Sequence, residues 1–241
     1  TQKMPNTYFD IKEVARLLGV DWRQVNKMAQ RGDIPCQKVS GMFRFNQAKI
    51  TDWLQSRVST LGEKDLSDLD SGHSAQRKFN HELFLVSNML SYNLISTELP
   101  ARTRSSTIRE LVNLAGNSDA LYCKETLLTA LNQREEISST AMAGGVAIPH
   151  PKRPLPFNIE KPLLIIAHTT KGIGFGAPDG KMTDLFFMTC SPDDQTHIHI
   201  LARLCRLFYK TTLVNDLRAA ASADEYIDLI TQQEQKILNE I

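Results

Sequence analysis

The sequence has no long apolar run. Its longest, Leu163 to Ala167, falls far short of the roughly 20 residues that cross a bilayer, so no membrane insertion is expected. It opens without the charged, apolar and small-residue succession of a secretory leader, which makes the cytoplasm the expected compartment. The four cysteines, Cys36, Cys123, Cys190 and Cys205, are widely scattered. They share no C-x-x-C or metal-ligand spacing and read as buried free thiols rather than a disulfide frame or a metal site. Repeats and low-complexity tracts are missing, and no compositional bias points to disorder or a collagen-like chain. Net charge is nearly absent as well, at +1 over 241 residues. What remains is an ordinary globular composition, long enough for one large or two smaller domains.

The small net charge hides an asymmetry. Residues 1–58 carry +5 and the remainder −4. A basic head on a mildly acidic body points the head toward an anionic partner. Residues 59–80 are polar and rich in Ser, Asp and Gly. They read as a linker with at most one helical turn around Leu66 and Leu69, leaving residues 81–241 as the body.

In the head, Asp10 is placed to cap a helix with apolar positions Ile11, Val14, Ala15 and Leu18, and Gly19 ends it. Asp21 caps a second helix from Trp22 to about Gln30, stopped by Arg31-Gly32. Lys38-Val39 and Phe43-Arg44-Phe45 alternate around Gly41 as a hairpin does, and Gln47 to Arg57 forms a closing helix. This is the order of a helix-turn-helix with a wing. Arg23, Gln24, Asn26 and Lys27 on the second helix, with Lys38 and Arg44 on the hairpin, are the long cations and amides that phosphate and base-edge contacts need. The same charges also fit a solvated face of a small protein-binding adaptor. Tyr8-Phe9-Asp10-Ile11-Lys12-Glu13-Val14-Ala15, Leu18-Gly19-Val20, Arg31-Gly32-Asp33-Ile34-Pro35 and Phe43-Arg44-Phe45 resemble the excisionase-type, MerR-like DNA-binding domain. That resemblance covers nearly all of residues 8–57 and implies DNA as a partner.

The body alternates helices and strands, which argues for an α/β fold. Arg104 to Leu114 and Lys124 to Arg134 read as amphipathic helices, and Leu163 to His168 and Leu185 to Thr189 as buried strands. Ser191-Pro192-Asp193-Asp194 reads as a helix start with Ser191 as the cap, and a last helix is expected around Asp224 to Ile230.

The residues with most chemistry lie between the second helix and the first long strand. Gly144-Gly145-Val146-Ala147-Ile148-Pro149-His150 delivers one histidine behind a proline. Imidazole titrates near neutrality, so a neutral ring nitrogen there can attack a phosphoryl donor. Gly144 and Gly145 let the backbone approach closely and aim amides at an anion. Arg134 lies sixteen residues upstream, followed by Ser139 and Thr140, so a cation and two hydroxyls can converge. The same pattern fits a strand end whose histidine merely caps a carbonyl. A helical wheel from Ser191 puts Ile198, Leu201, Ala202, Cys205 and Phe208 on the apolar stripe and His197 at its edge. His199 falls on the wet face between Arg203 and Arg206, and His73 and His81 read as surface residues. His197 is the one placed to look across the fold, though a boundary histidine bonded to a loop would sit there too.

Arg134-Glu135, Ser139-Thr140, Gly145 to His150, Gly176-Ala177-Pro178-Asp179-Gly180 and His197-Ile198-x-Ile200-Leu201-Ala202, in this order, resemble the enzyme IIA domain of the bacterial sugar phosphotransferase system. The resemblance is to the fructose/mannitol type, which includes the nitrogen-regulatory branch, and runs from about residue 82 to 237. It implies a mixed sheet flanked by helices. It implies that His150 accepts a phosphoryl group on Nε2 from the phosphocarrier HPr or its nitrogen-branch relative, with Nδ1–H orienting the ring. His197 would help hold the group and Arg134 would be the cation beside it. A carrier needs only a labile P–N bond, so no cofactor is implied. An enzyme IIB is a further partner the resemblance allows. Two departures stand out. Ala141-Met142-Ala143 replaces a frequent Gly-Ile-Gly, and Pro151 a frequent glycine. Alanine resists positive φ, so a differently shaped loop is expected. Three readings follow: a phosphorylation-sensitive DNA-binding regulator, a plain phosphocarrier with an adaptor head, or a DNA-binding protein whose body no longer accepts phosphate.

Overall fold

Asp10 ends the first strand, β1 (Tyr8–Phe9), and starts α1 (Ile11–Leu18). Its carboxylate accepts from the amides of Lys12 and Glu13 while Glu13 reaches back to the Asp10 amide, satisfying donors that a helix start leaves open. These details come from a computed structural model, which describes residues 8–76 and 85–239. The chain divides into two units, Thr1–His81 with Leu201–Arg206, and Glu82–Ile200 with Leu207–Ile241.

In the first unit, Gly19 closes α1 at φ 66° and Asp21 caps α2 (Trp22–Arg31), which Gly32 closes at φ 76°. β2 (Gln37–Val39) and β3 (Met42–Asn46) pair antiparallel through Ser40-Gly41, both at positive φ as a two-residue hairpin turn requires. β1 joins the other side of β3, giving the order β1-β3-β2. Asn46 then caps α3 (Gln47–Arg57). Val14, Val25, Ile34, Phe45 and Ile50 fill the core beneath these elements.

The span read as a linker holds a helix, α4 (Glu63–Gln76), and residues 77–80 lie outside the described residues. Leu66 and Leu69 are buried, and α4 comes so close to the end of α1 that a side chain on Gly19 would strike the Asp68 carbonyl. Two leucines three residues apart are too narrow a stripe to declare a helix, and packing on α1 supplies the rest.

The second unit is built on a five-stranded sheet, order β4-β7-β8-β6-β5, from β4 (Ile95–Ser96), β5 (Ala141–Met142), β6 (Val146–Ala147), β7 (Leu163–Ile173) and β8 (Thr183–Cys190). The β4–β7 and β6–β8 pairs are parallel, and β7–β8 and β5–β6 antiparallel, so the sheet is mixed. α5 (Arg104–Ala115), α6 (Lys124–Ile137), α7 (Asp194–Lys210) apart from its stretch Leu201–Arg206, α8 (Leu213–Ala219) and α9 (Ala223–Asn239) complete it. β6 feeds the segment that ends at His150, and the Thr189 amide of β8 donates to the Pro149 carbonyl at 3.0 Å. This bond seats the His150 turn beside the central strand.

Two readings of α7 change. Its cap is Asp193, not Ser191. Asp193 is extended and accepts from the amide and hydroxyl of Thr196, while Ser191 donates to the Asp193 carbonyl. Nor does the helix have a wet face at its middle, since every residue from Thr196 to Leu207 is buried, His199, Arg203 and Arg206 included. Within the first unit, Asp70 accepts from Arg203 Nε at 2.7 Å and Arg206 Nη1 at 3.0 Å. Buried guanidiniums are tolerable when a carboxylate neutralises them, a partnership a wheel cannot display. His73 and His81 have no described side-chain environment.

Candidate functional site

His150 ends the run Val146–His150, every residue of which is buried. Its Nδ1 lies 2.7 Å from the Ile148 carbonyl. A carbonyl only accepts, so Nδ1 carries the proton and the neutral ring keeps its lone pair on Nε2. That Nε2 is buried and finds no hydrogen-bond partner among the described residues. A buried nitrogen without a partner is costly in a resting protein and is what an incoming electrophile needs.

His197, in the first turn of α7, brings its ring to a centroid distance of 5.1 Å from His150, tilted by 54°. Its Nε2 is likewise buried without a partner among the described residues. Arg134, in the last turn of α6 and 8% exposed, donates through Nη1 to the carbonyl and hydroxyl of Ser138. The three residues act on one another. Burial pushes the pKa of His150 well below its ordinary value, the charge that a protonated His197 would carry and then that of Arg134 push the same way, and the Ile148 bond opposes them. Burial first, then Arg134, lowers His197 to about 4, with Asp193 opposing. Both rings are therefore neutral at neutral pH, beside a guanidinium and the positive end of a 17-residue helix.

The expected anion-binding loop is arranged otherwise. Thr140 donates its amide and hydroxyl to Glu135, at 2.9 and 2.6 Å. Ser139 donates to the Phe175 carbonyl at 2.6 Å. The Gly144 amide donates to Asp179 at 3.1 Å, a bond that helps hold the Asp179 carboxyl below its usual range. These donors brace the loop instead of standing open to an anion. Their geometry also explains how Ala141-Met142-Ala143 is accommodated. Ala141 and Met142 form β5 in ordinary extended backbone, and positive φ falls on Gly144 (89°) and Gly145 (83°).

Side chains with no motif complete the loop's support. Arg218 grips Asp184 through Nε and Nη2 at 2.8 and 2.7 Å and donates to the Gly144 carbonyl at 2.7 Å. A Cβ on Gly145 would fall 2.5 Å from that guanidinium. Asp179 belongs to a quoted motif, whereas Arg218 and Asp184 meet only through the fold, so no sequence signal marks them. Among the described residues no cluster of three or more His, Cys, Asp or Glu side chains could hold a metal ion, and no helix is long and apolar enough to cross a membrane.

In the head, Asn26, Lys38 and Arg44 line one cleft between α2 and the hairpin, with Lys12 and Gln30. Lys27 is exposed, and Arg23 is exposed with its guanidinium 5.3 Å from the Trp22 ring. Gln24 belongs elsewhere, lining a separate apolar cavity with Leu18, Met28 and Trp53.

Residues 88–233 match the family described as phosphoenolpyruvate-dependent sugar phosphotransferase system, EIIA 2, and residues 8–58 match a helix-turn-helix domain. The chain is 30% identical over 149 residues to the fructose-specific EIIA component of Haloferax volcanii, covering 61% of this chain and 95% of that protein. It is 26% identical over 151 residues to the fructose-specific EIIABC component of Bacillus subtilis, covering 62% of this chain but 23% of that longer protein. The crystal structure of nitrogen regulatory protein IIA-Ntr from Neisseria meningitidis superposes with a TM-score of 0.55 at 24% identity, covering 61% of this chain and 99% of that one. By these matches the chain belongs to the EIIA 2 family of the phosphotransferase system and carries a helix-turn-helix domain ahead of its EIIA domain.

Proposed function

We propose that His150 accepts a phosphoryl group on Nε2 from a phosphocarrier protein, HPr or its nitrogen-branch relative, and that its phosphorylation state informs a DNA-binding head. The observation that carries this reading is the Nδ1 contact to the Ile148 carbonyl, which leaves Nε2 as the lone-pair nitrogen beside His197, without a partner among the described residues.

In the transfer, the Nε2 lone pair attacks phosphorus, a new N–P bond forms, and the bond to the donor's nitrogen breaks with its electron pair staying on the donor. His150 keeps its Nδ1 proton on the Ile148 carbonyl. Such transfers need positioning and charge stabilisation more than covalent help. Arg134 and the start of α7 supply positive charge, and His197 offers a ring nitrogen to a phosphoryl oxygen. Roughly two added negative charges would draw Arg134 and favour protonation of His197, a change large enough to reshape a partner surface. The cleft with Asn26, Lys38 and Arg44, on a head of charge +5, supports DNA as the head's partner. Relatives named nitrogen regulatory proteins, one of them 33% identical over 129 residues, support regulation over dedicated uptake.

Incubation with enzyme I, HPr and labelled phosphoenolpyruvate should label the wild type and leave His150→Ala unlabelled. Equal labelling of the two would refute the assignment.

A further inference from the structure

We infer that Glu135 is a positioning residue for His150, acting through Thr140 and Ile148; the inference rests on reading His150 as the phosphoryl acceptor. Glu135 sits in the last turn of α6 and is 3% exposed. Its Oε1 accepts from the Thr140 amide at 2.9 Å and from Arg104 Nη2 at 2.8 Å, and its Oε2 from the Thr140 hydroxyl at 2.6 Å. Thr140 is thus held at two points by one carboxylate. Its carbonyl accepts from the Ile148 amide at 3.1 Å, and the Ile148 carbonyl meets His150 Nδ1 at 2.7 Å. The bonds form an unbroken series from an ion pair at the edge of the domain to the ring that carries the nucleophile.

The influence along this series is positional rather than electronic. A residue's own N–H and C=O lie in different peptide planes, so polarisation does not pass straight through Thr140 or Ile148. Position does. Thr140 immediately precedes β5 and Ile148 immediately follows β6, so the Thr140–Ile148 bond extends that short pair by one rung. A two-residue pair is a weak anchor by itself. β8 holds the other side of this segment through its pairing with β6 and the Thr189–Pro149 bond, and Glu135 pins the open end, so that the two together set where the Ile148 carbonyl stands and, with it, the tautomer and tilt of His150.

The adjacent residue makes the arrangement economical. Consecutive helical residues point about 100° apart, and Arg134 and Glu135 take different partners, Ser138 and Thr140. The Arg134 charge acts on both histidine rings, while Glu135 takes Thr140. One turn of α6 therefore aims the cation and, at second hand, the nucleophile. Arg104 holds the far side of Glu135 and lies with its guanidinium 5.6 Å from the Phe175 ring, whose carbonyl accepts from Ser139.

The test uses the full-length protein and two independent readouts. The first is the ¹⁵N resonances of His150 in the unphosphorylated state, which distinguish a protonated Nδ1 with lone-pair Nε2 from a mixture of tautomers. The second is the initial rate of labelling by phosphorylated HPr. Glu135→Ala should move both ¹⁵N resonances toward the mixed-tautomer values and slow labelling roughly 10- to 100-fold, the scale of a misplaced reacting group. Thr140→Val removes one arm of the contact at nearly constant shape and should move both readouts the same way by less. Glu135→Gln, which retains an acceptor for the Thr140 amide, should restore the wild-type resonances and most of the rate. If Glu135→Ala does not fold, Thr140→Val decides. A folded Glu135→Ala or Thr140→Val with wild-type His150 resonances overturns the inference. Shifted resonances in a protein whose wild type takes no label would instead refute His150 as acceptor and leave its link to Glu135 standing.

Discussion

Lowering the pH from about 7 to about 5 should destabilise this protein through a histidine that stays neutral where the unfolded chain does not. In the folded protein burial and then Arg134 hold His197 at about 4, against an ordinary 6.5. Between those values the unfolded state binds a proton that the folded state refuses, so stability rises with pH across the window and falls as the solution is acidified. The contribution is fully present above about pH 7, is reduced by about 2 kcal/mol at pH 5, and is lost by about 3 kcal/mol below pH 4. His150, lowered chiefly by burial, adds in the same direction. Urea unfolding followed by far-UV circular dichroism measures the loss. Tryptophan fluorescence does not serve, because both tryptophans, Trp22 and Trp53, lie in the first unit. His197→Leu provides the control, since leucine has no proton to refuse and its own packing effect cancels between the two pH values. The wild type should lose about 2 kcal/mol more than the variant on going to pH 5. Identical losses, or a His197 ring resonance titrating near 6.5, would refute the reasoning. The same depression keeps His150 Nε2 unprotonated, so labelling by phosphorylated HPr should show no inflection assignable to His150 between about pH 6 and 8.

Two further outcomes concern the head. Gly19→Ala must hold φ near 66° and place a Cβ 1.8 Å from the Asp68 carbonyl, so it should cost more than the roughly 1–2 kcal/mol of the left-handed conformation alone. Fluorescence-detected urea melts check this, and an unchanged midpoint would refute the packing of α4 on α1. Binding of a mixed-sequence DNA duplex should weaken steeply with salt, and Arg44→Gln should flatten the log–log slope by about 1. A slope indifferent to both salt and Arg44 would remove DNA as the head's partner.

Much of this was legible from residues a few positions apart. Asp10 with Glu13, Asp21, Gly19 and Gly32 write the ends of α1 and α2 locally, because a cap satisfies amides within one turn of itself. The hairpin at Ser40-Gly41 is equally local. α4 was less legible, because a stripe of two leucines is stabilised by packing and not by propensity. The wheel for α7 separated His197 from His199 on the premise of a solvated face. Both are buried, and what distinguishes His197 is its ring at 5.1 Å from His150.

By itself, then, the sequence determined the ends of α1 and α2, the winged head, the α/β character of the body and the segment that presents His150. Those features depend on side chains reaching their own or the next turn of backbone. Only the tertiary structure decided that His197 and Arg134 act on that ring, that the loop's donors serve Glu135 and Asp179, and that Arg218 grips the Gly144 carbonyl from 74 residues away. These turn on the register of β6 against β8 and the seating of α6, α7 and α8. Such long-range pairings are selected by the packing of the whole core, and no short window of residues contains them.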